Sequence, residues 1–238
     1  MSFKKLCAVK VFLFICSILI SLQTYAQDVT QNNNYEVNLR KYQSYEAAHG
    51  RYLQTPHTKM HFLSWGNPND STLIWIHGSL GSAYEIAPLA ADICQLGIYL
   101  IAIDYYGHGQ TPLPKASVTQ ASIADDIALL MNSLQIQSAI LGGFSRGTYI
   151  AGEFYAKYPQ RTEALILEDG GIAPFKHQYL QLPDSILRKN IRTEIEDMPQ
   201  TLLQTYTTKK KAYEAVRQFD GEETHESFKN FAVISAAD

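Results

Sequence analysis

Residues 138–158 read Ser138-Ala139-Ile140-Leu141-Gly142-Gly143-Phe144-Ser145-Arg146-Gly147, then Thr148-Tyr149-Ile150-Ala151-Gly152-Glu153-Phe154-Tyr155-Ala156-Lys157-Tyr158. The opening apolar run predicts a strand over 138–141. Tyr149, Ile150, Phe154 and Tyr158 recur at helical spacing and predict a helix over 146–158. Between the two, glycines stand two residues before and two after Ser145. The same alternation continues on both sides: strands over 72–76, 98–103 and 164–167, helices over 83–96 and 122–134. The strands are continuous apolar runs, such as Leu73-Ile74-Trp75-Ile76 and Leu165-Ile166-Leu167, which predicts that they are covered on both faces. The fold class is α/β, a mostly parallel sheet with helices on both faces. Upstream, 51–54 and 59–65 read as a strand hairpin closed by the turn Gly66-Asn67-Pro68-Asn69-Asp70.

In such a sheet, functional groups gather beyond the carboxyl ends of the strands. Gly143-Phe144-Ser145-Arg146-Gly147 follows the third parallel strand and fits a nucleophile elbow, where a sharp turn needs small residues beside the nucleophile. Ser145 is then the candidate nucleophile, at a helix N-terminus whose dipole favours negative charge. His77-Gly78-Ser79-Leu80-Gly81-Ser82 follows the first parallel strand. Acyl transfer needs two backbone N–H donors aimed at the developing oxyanion, and Ser79 and Arg146 occupy the positions for that oxyanion hole. His77 reads as a brace of its loop rather than a base. After the second parallel strand, Asp104-Tyr105-Tyr106-Gly107-His108-Gly109-Gln110-Thr111-Pro112 reads as loop architecture, with Asp104 accepting backbone N–H bonds.

Together, H-G-S-x-G-S, D-x-x-G-H-G-x-T and G-F-S-R-G, in this order and spacing, resemble the α/β-hydrolase superfamily, in its esterase, lipase and lactonase-like branch. The likeness covers residues 51 to about 171. It implies a serine hydrolase acting on a small-molecule acyl substrate, a carboxylic ester, lactone or thioester, through an acyl-enzyme on Ser145. It also implies a triad in the order serine, acid, histidine, with acid and base on loops after two later strands.

Here 67 residues follow Gly171, and they read as helices. Leu187, Ile191, Ile195 and Met198 form one stripe, opened by Asp184 and stopped by Pro199, and Tyr206, Tyr213, Val216 and Phe219 suggest another. Residues 172–238 are therefore expected to be a partial helical cap, with the acid and base beyond Asp238. Asp169, just past the fourth parallel strand, is the candidate acid within the chain. Glu168, Asp238 and, as a base, His225 are weaker alternatives. A competing reading is a catalytically incomplete binding or scaffold protein that keeps the fold, because serine without a base is a poor nucleophile.

Residues 1–26 read as a secretory signal peptide: Lys4, Lys5 and Lys10, an apolar run over 11–22, and Thr24-Tyr25-Ala26. The run is shorter than the roughly 20 residues of a membrane span, so no stable membrane insertion is expected after cleavage. The expected location is periplasmic or secreted. Residues 27–50 read as a loose polar leader. Cleavage takes away three lysines and no acid, moving the formal charge from −3 to −6, which offers nothing basic to nucleic acid. Of the three cysteines only Cys94 would remain, read as the buried face of a helix. No ligand cluster stands out, so neither cofactor nor metal is expected, and the oligomeric state is open.

Overall fold

The computed structural model describes residues 35–79, 81–171 and 182–196. The expected signal peptide, His225, Asp238, Pro199 and the stripe from Tyr206 to Phe219 lie outside the described residues. The chain divides into two compact units, Met1–Lys41 and Tyr42–Asp238, and every side-chain contact discussed below lies within the second.

Residues 35–49 form helix α1, where a loose leader was expected. The Asn and Gln content suggested the leader, but Tyr45 and Glu46, in the stretch 42–49 that belongs to the second unit, hold that stretch down. Trp65 Nε1 donates to Tyr45 Oη at 3.1 Å and Tyr84 Oη donates to Glu46 at 2.6 Å. Strands β1 (Gly50–Gln54) and β2 (Lys59–Trp65) form the expected antiparallel hairpin. Strands β3 (Ser71–Ile76), β4 (Ile98–Ile103), β5 (Ala139–Phe144) and β6 (Thr162–Glu168) complete a six-stranded sheet in the order β1-β2-β4-β3-β5-β6. The last four are parallel, and β2 meets β4 antiparallel.

Alternation along the central strands explains their unbroken apolar sequence. Tyr99, Ile101 and Ile103 of β4 join a cluster with Ile123 and Ile127 of α3 (Gln120–Ser133) and Ile150 and Phe154 of α4 (Arg146–Lys157). Leu100 and Ala102 join a second cluster with Trp75, Tyr84 and Ala90. Strand β6 departs from the expectation of two covered faces: Ile166 and Leu167 are 42% and 38% exposed. It stands at the edge of the described sheet, bonded to β5 on one side only.

The helix expected over 83–96 divides into a 3₁₀ stretch, Ala83–Leu89, and α2 (Ala90–Gln95). Pro88 lies inside the first and removes the N–H that a continuous α-helix needs. Cys94 is half-buried against the second core cluster. Helix α5 (Asp184–Glu196) starts at Asp184, as expected. No helix among the described residues is long and apolar enough to cross a membrane.

Candidate active site

The loops that follow β3, β4, β5 and β6 meet at one edge of the sheet. Ser145 joins β5 to α4 with φ 47° and ψ −111°, left-handed backbone that a non-glycine residue adopts at a cost of about 1–3 kcal/mol. Its surroundings hold it there. Ser145 N–H donates to Glu168 O at 2.8 Å, and Thr148 Oγ1 donates to Ser145 O at 2.7 Å. The flanking glycines fill spaces that admit no side chain. A Cβ on Gly143 would lie 2.4 Å from the carbonyl carbon of Gly147, and one on Gly147 would lie 1.9 Å from Ile76 O. Helix α4 is thereby seated against the end of β3.

The loop after β3 closes on the serine from one side. A Cβ on Gly78 would come within 3.5 Å of Ser145 Cβ. Gly78 N–H donates to Glu85 Oε2 at 3.1 Å, and the other carboxylate oxygen of Glu85 accepts from Trp75 Nε1 at 3.1 Å. His77 is fully buried, stacked on Tyr105 at 4.1 Å between ring centroids, with Nδ1 2.7 Å from Gly78 O. Burial pushes its imidazole down to about 4, with Asp104 pulling the other way. The ring is neutral at neutral pH and braces its own loop, the role read from the sequence. Ser79 is exposed. Arg146 opens α4, and its backbone N–H is one of the first four, which have no acceptor within a helix.

The loop after β6 closes the other side. Asp169 is exposed with φ 50°, and a Cβ on the adjacent Gly170 would lie 2.7 Å from Ser145 O. The candidate acid therefore borders the turn at Ser145. Among the described residues no histidine hydrogen-bonds to Ser145.

One cluster escaped the sequence reading. Asp104, wholly buried, accepts from Ala83 N–H at 2.6 Å and Gln110 N–H at 2.9 Å, as its loop position suggested. It also pairs with His61 Nδ1 at 2.7 Å, while His61 Nε2 meets Glu46 at 3.0 Å. Desolvation pulls His61 down, but the hydrogen bonds to both carboxylates outweigh it and push it up to about 9. Burial likewise opposes ionisation of Asp104, and the His61 contact prevails to hold it below the usual carboxylate range. The result is a buried carboxylate–imidazolium–carboxylate chain tying α1 and β2 to the loop beside the site. The signal was a histidine inside Met60-His61-Phe62-Leu63, a run of β2 otherwise apolar on both faces. A second carboxylate, Asp126, accepts from Tyr106 Oη at 2.6 Å and Thr55 Oγ1 at 2.9 Å and pairs with His57 at 3.0 Å.

A profile of the alpha/beta hydrolase fold matches residues 71–221. The chain belongs to this family. The Bacillus subtilis carboxylesterase YbfK is 29% identical over 151 residues, 59% of this chain and 50% of that protein. The AB hydrolase superfamily protein YisY of the same organism is 26% identical over 160 residues, 64% of this chain and 58% of that protein. The chain thus spans about half the length of these curated relatives. Among solved structures, the thioesterase domain from the curacin biosynthetic pathway superposes with a TM-score of 0.58 at 19% identity, covering 77% of this chain and 63% of that domain. A carboxylesterase from Nitrososphaera gargenis gives 0.56 at 21% identity, covering 79% and 67%. At these identities the structural likeness establishes the fold.

Proposed function

We propose that this alpha/beta hydrolase acts on a small carboxylic ester, lactone or thioester through an acyl-enzyme on Ser145. The observation that carries the proposal is the left-handed backbone of Ser145, held between two glycines that pack against neighbouring backbone. Strain maintained at a strand-to-helix turn lifts a side chain off the sheet for reaction. In the reaction, Ser145 Oγ attacks the acyl carbon and its proton passes to a general base. The oxyanion is held by the N–H groups of Ser79 and Arg146. Collapse expels the alcohol or thiol, which takes up the proton, and water then releases the acid and restores Ser145. Asp169 is the acid proposed within the chain. The carboxylesterase relative, similar over half its length, supports the ester class.

Because no histidine among the described residues reaches Ser145, a second reading stands beside this one, a binding protein that keeps the fold without turnover. Incubation with a fluorophosphonate followed by peptide mass mapping separates the two. The hydrolase reading expects a covalent adduct on Ser145. A protein that stays unmodified, or is modified elsewhere, supports the binding reading instead.

A further inference from the structure

The loop after β3 is wired more heavily than loop geometry alone requires. Gly78 O accepts three donors: His77 Nδ1 at 2.7 Å, Tyr105 Oη at 3.0 Å and Gly81 N–H at 3.3 Å. Two of these come from side chains that are themselves buried, His77 at 0% and Tyr105 at 2% exposure. The carbonyl is therefore turned into the protein. A trans peptide unit is planar, so its N–H points opposite to its C=O, and the N–H of the Gly78–Ser79 unit belongs to Ser79. Fixing Gly78 O inward aims Ser79 N–H outward, on the side where Ser79 is exposed. The preceding N–H, of Gly78, is already committed to Glu85 and has no donor capacity left for a reacting oxygen.

We infer that Tyr105 is a positioning residue whose hydroxyl sets the Gly78–Ser79 peptide so that Ser79 N–H faces the oxyanion formed at Ser145. The inference rests on the serine hydrolase reading above and adds to it a residue that touches no substrate. Two features suit Tyr105 to the task. Burial pushes its phenol up to about 12, so it keeps its proton and donates at any working pH. Its ring is stacked on His77 with an interplanar angle of 12°, which fixes the direction of the hydroxyl. Glu85 holds the other end of the glycine in place.

Tyr105→Phe keeps the stack and removes one donor. Losing one neutral hydrogen bond to a peptide that must be pre-aimed is expected to lower kcat for an activated aryl ester about tenfold, counted per Ser145 titrated by the fluorophosphonate, with KM unchanged. Inhibition by phenylboronic acid, whose serine adduct is tetrahedral, weakens by the same factor. A purely structural role would instead reduce the titratable fraction and leave kcat per titrated site as in the parent, which overturns the inference while the serine reading stands. A rise in KM with kcat unchanged overturns it too. If the parent is not titrated at Ser145, the serine reading fails and the inference fails with it. Tyr105→Leu, which also loses the stack, is expected to be worse than Tyr105→Phe, and a Tyr105→Phe protein with the parent's kcat beside an impaired Tyr105→Leu protein would assign the effect to packing and overturn the role of the hydroxyl.

Discussion

Gly147→Ala is expected to cost at least about 3 kcal/mol of folding stability, the upper end for forcing extra volume into a packed region. The added Cβ would lie 1.9 Å from Ile76 O, 2.7 Å from Ile76 C and 2.9 Å from His77 O. All three are backbone atoms, so no side-chain rotation relieves the overlap. Relief requires α4 to move away from β3, and the left-handed turn at Ser145 moves with it. Gly97→Ala is the matched control. Gly97 has φ +75° but nothing within 4 Å of the added Cβ, so only the left-handed backbone term of about 1–2 kcal/mol applies. Urea unfolding of both variants checks the comparison. A Gly147→Ala protein as stable as Gly97→Ala would mean that α4 is not seated on β3 as described.

His61→Ala is the second large effect. Removing the imidazolium leaves Asp104 and Glu46 facing each other without a cation, and breaking a buried pair in this way costs about 3–5 kcal/mol. The pH dependence separates this from a simple cavity. The folded value of His61 is raised, to about 9, above an unfolded value near 6.5. Its contribution is therefore complete below about pH 6.5, declines above that, and is lost as pH rises through about 9. The stability difference between parent and His61→Ala should shrink across that window. A difference that stays constant from pH 6 to pH 10 would show that the ring is neutral in the folded protein.

Fold and candidate site differed in how far the sequence disclosed them. Strands β3 to β5 were legible because a strand covered on both faces has no polar positions to break its run, and the sharp turn at Ser145 because two glycines flank a serine at a change of period. The exposed edge of β6 was not legible, since Leu165-Ile166-Leu167 has the same composition whether or not a neighbour covers it. Helix α1 was missed because its Asn- and Gln-rich approach resembles a leader, while its anchors, Tyr45 and Glu46, act through Trp65, His61 and Tyr84, 15 to 38 residues away. The break at Pro88 was visible in the sequence, but the apolar spacing around it outweighed it in the reading. The role of Tyr105 depends on a bond to a carbonyl 27 residues earlier, which no local pattern encodes.

The central claim, that Ser145 is the attacking group, is tested most directly by the rate of activated aryl ester hydrolysis in Ser145→Ala beside the parent under identical conditions. Serine and alanine differ by one oxygen at a half-exposed position, so the fold is preserved. Loss of the nucleophile is predicted to lower the enzymatic rate by on the order of a thousandfold or more, leaving only what the oxyanion donors and binding supply. A Ser145→Ala protein that hydrolyses the ester within twofold of the parent would contradict the account.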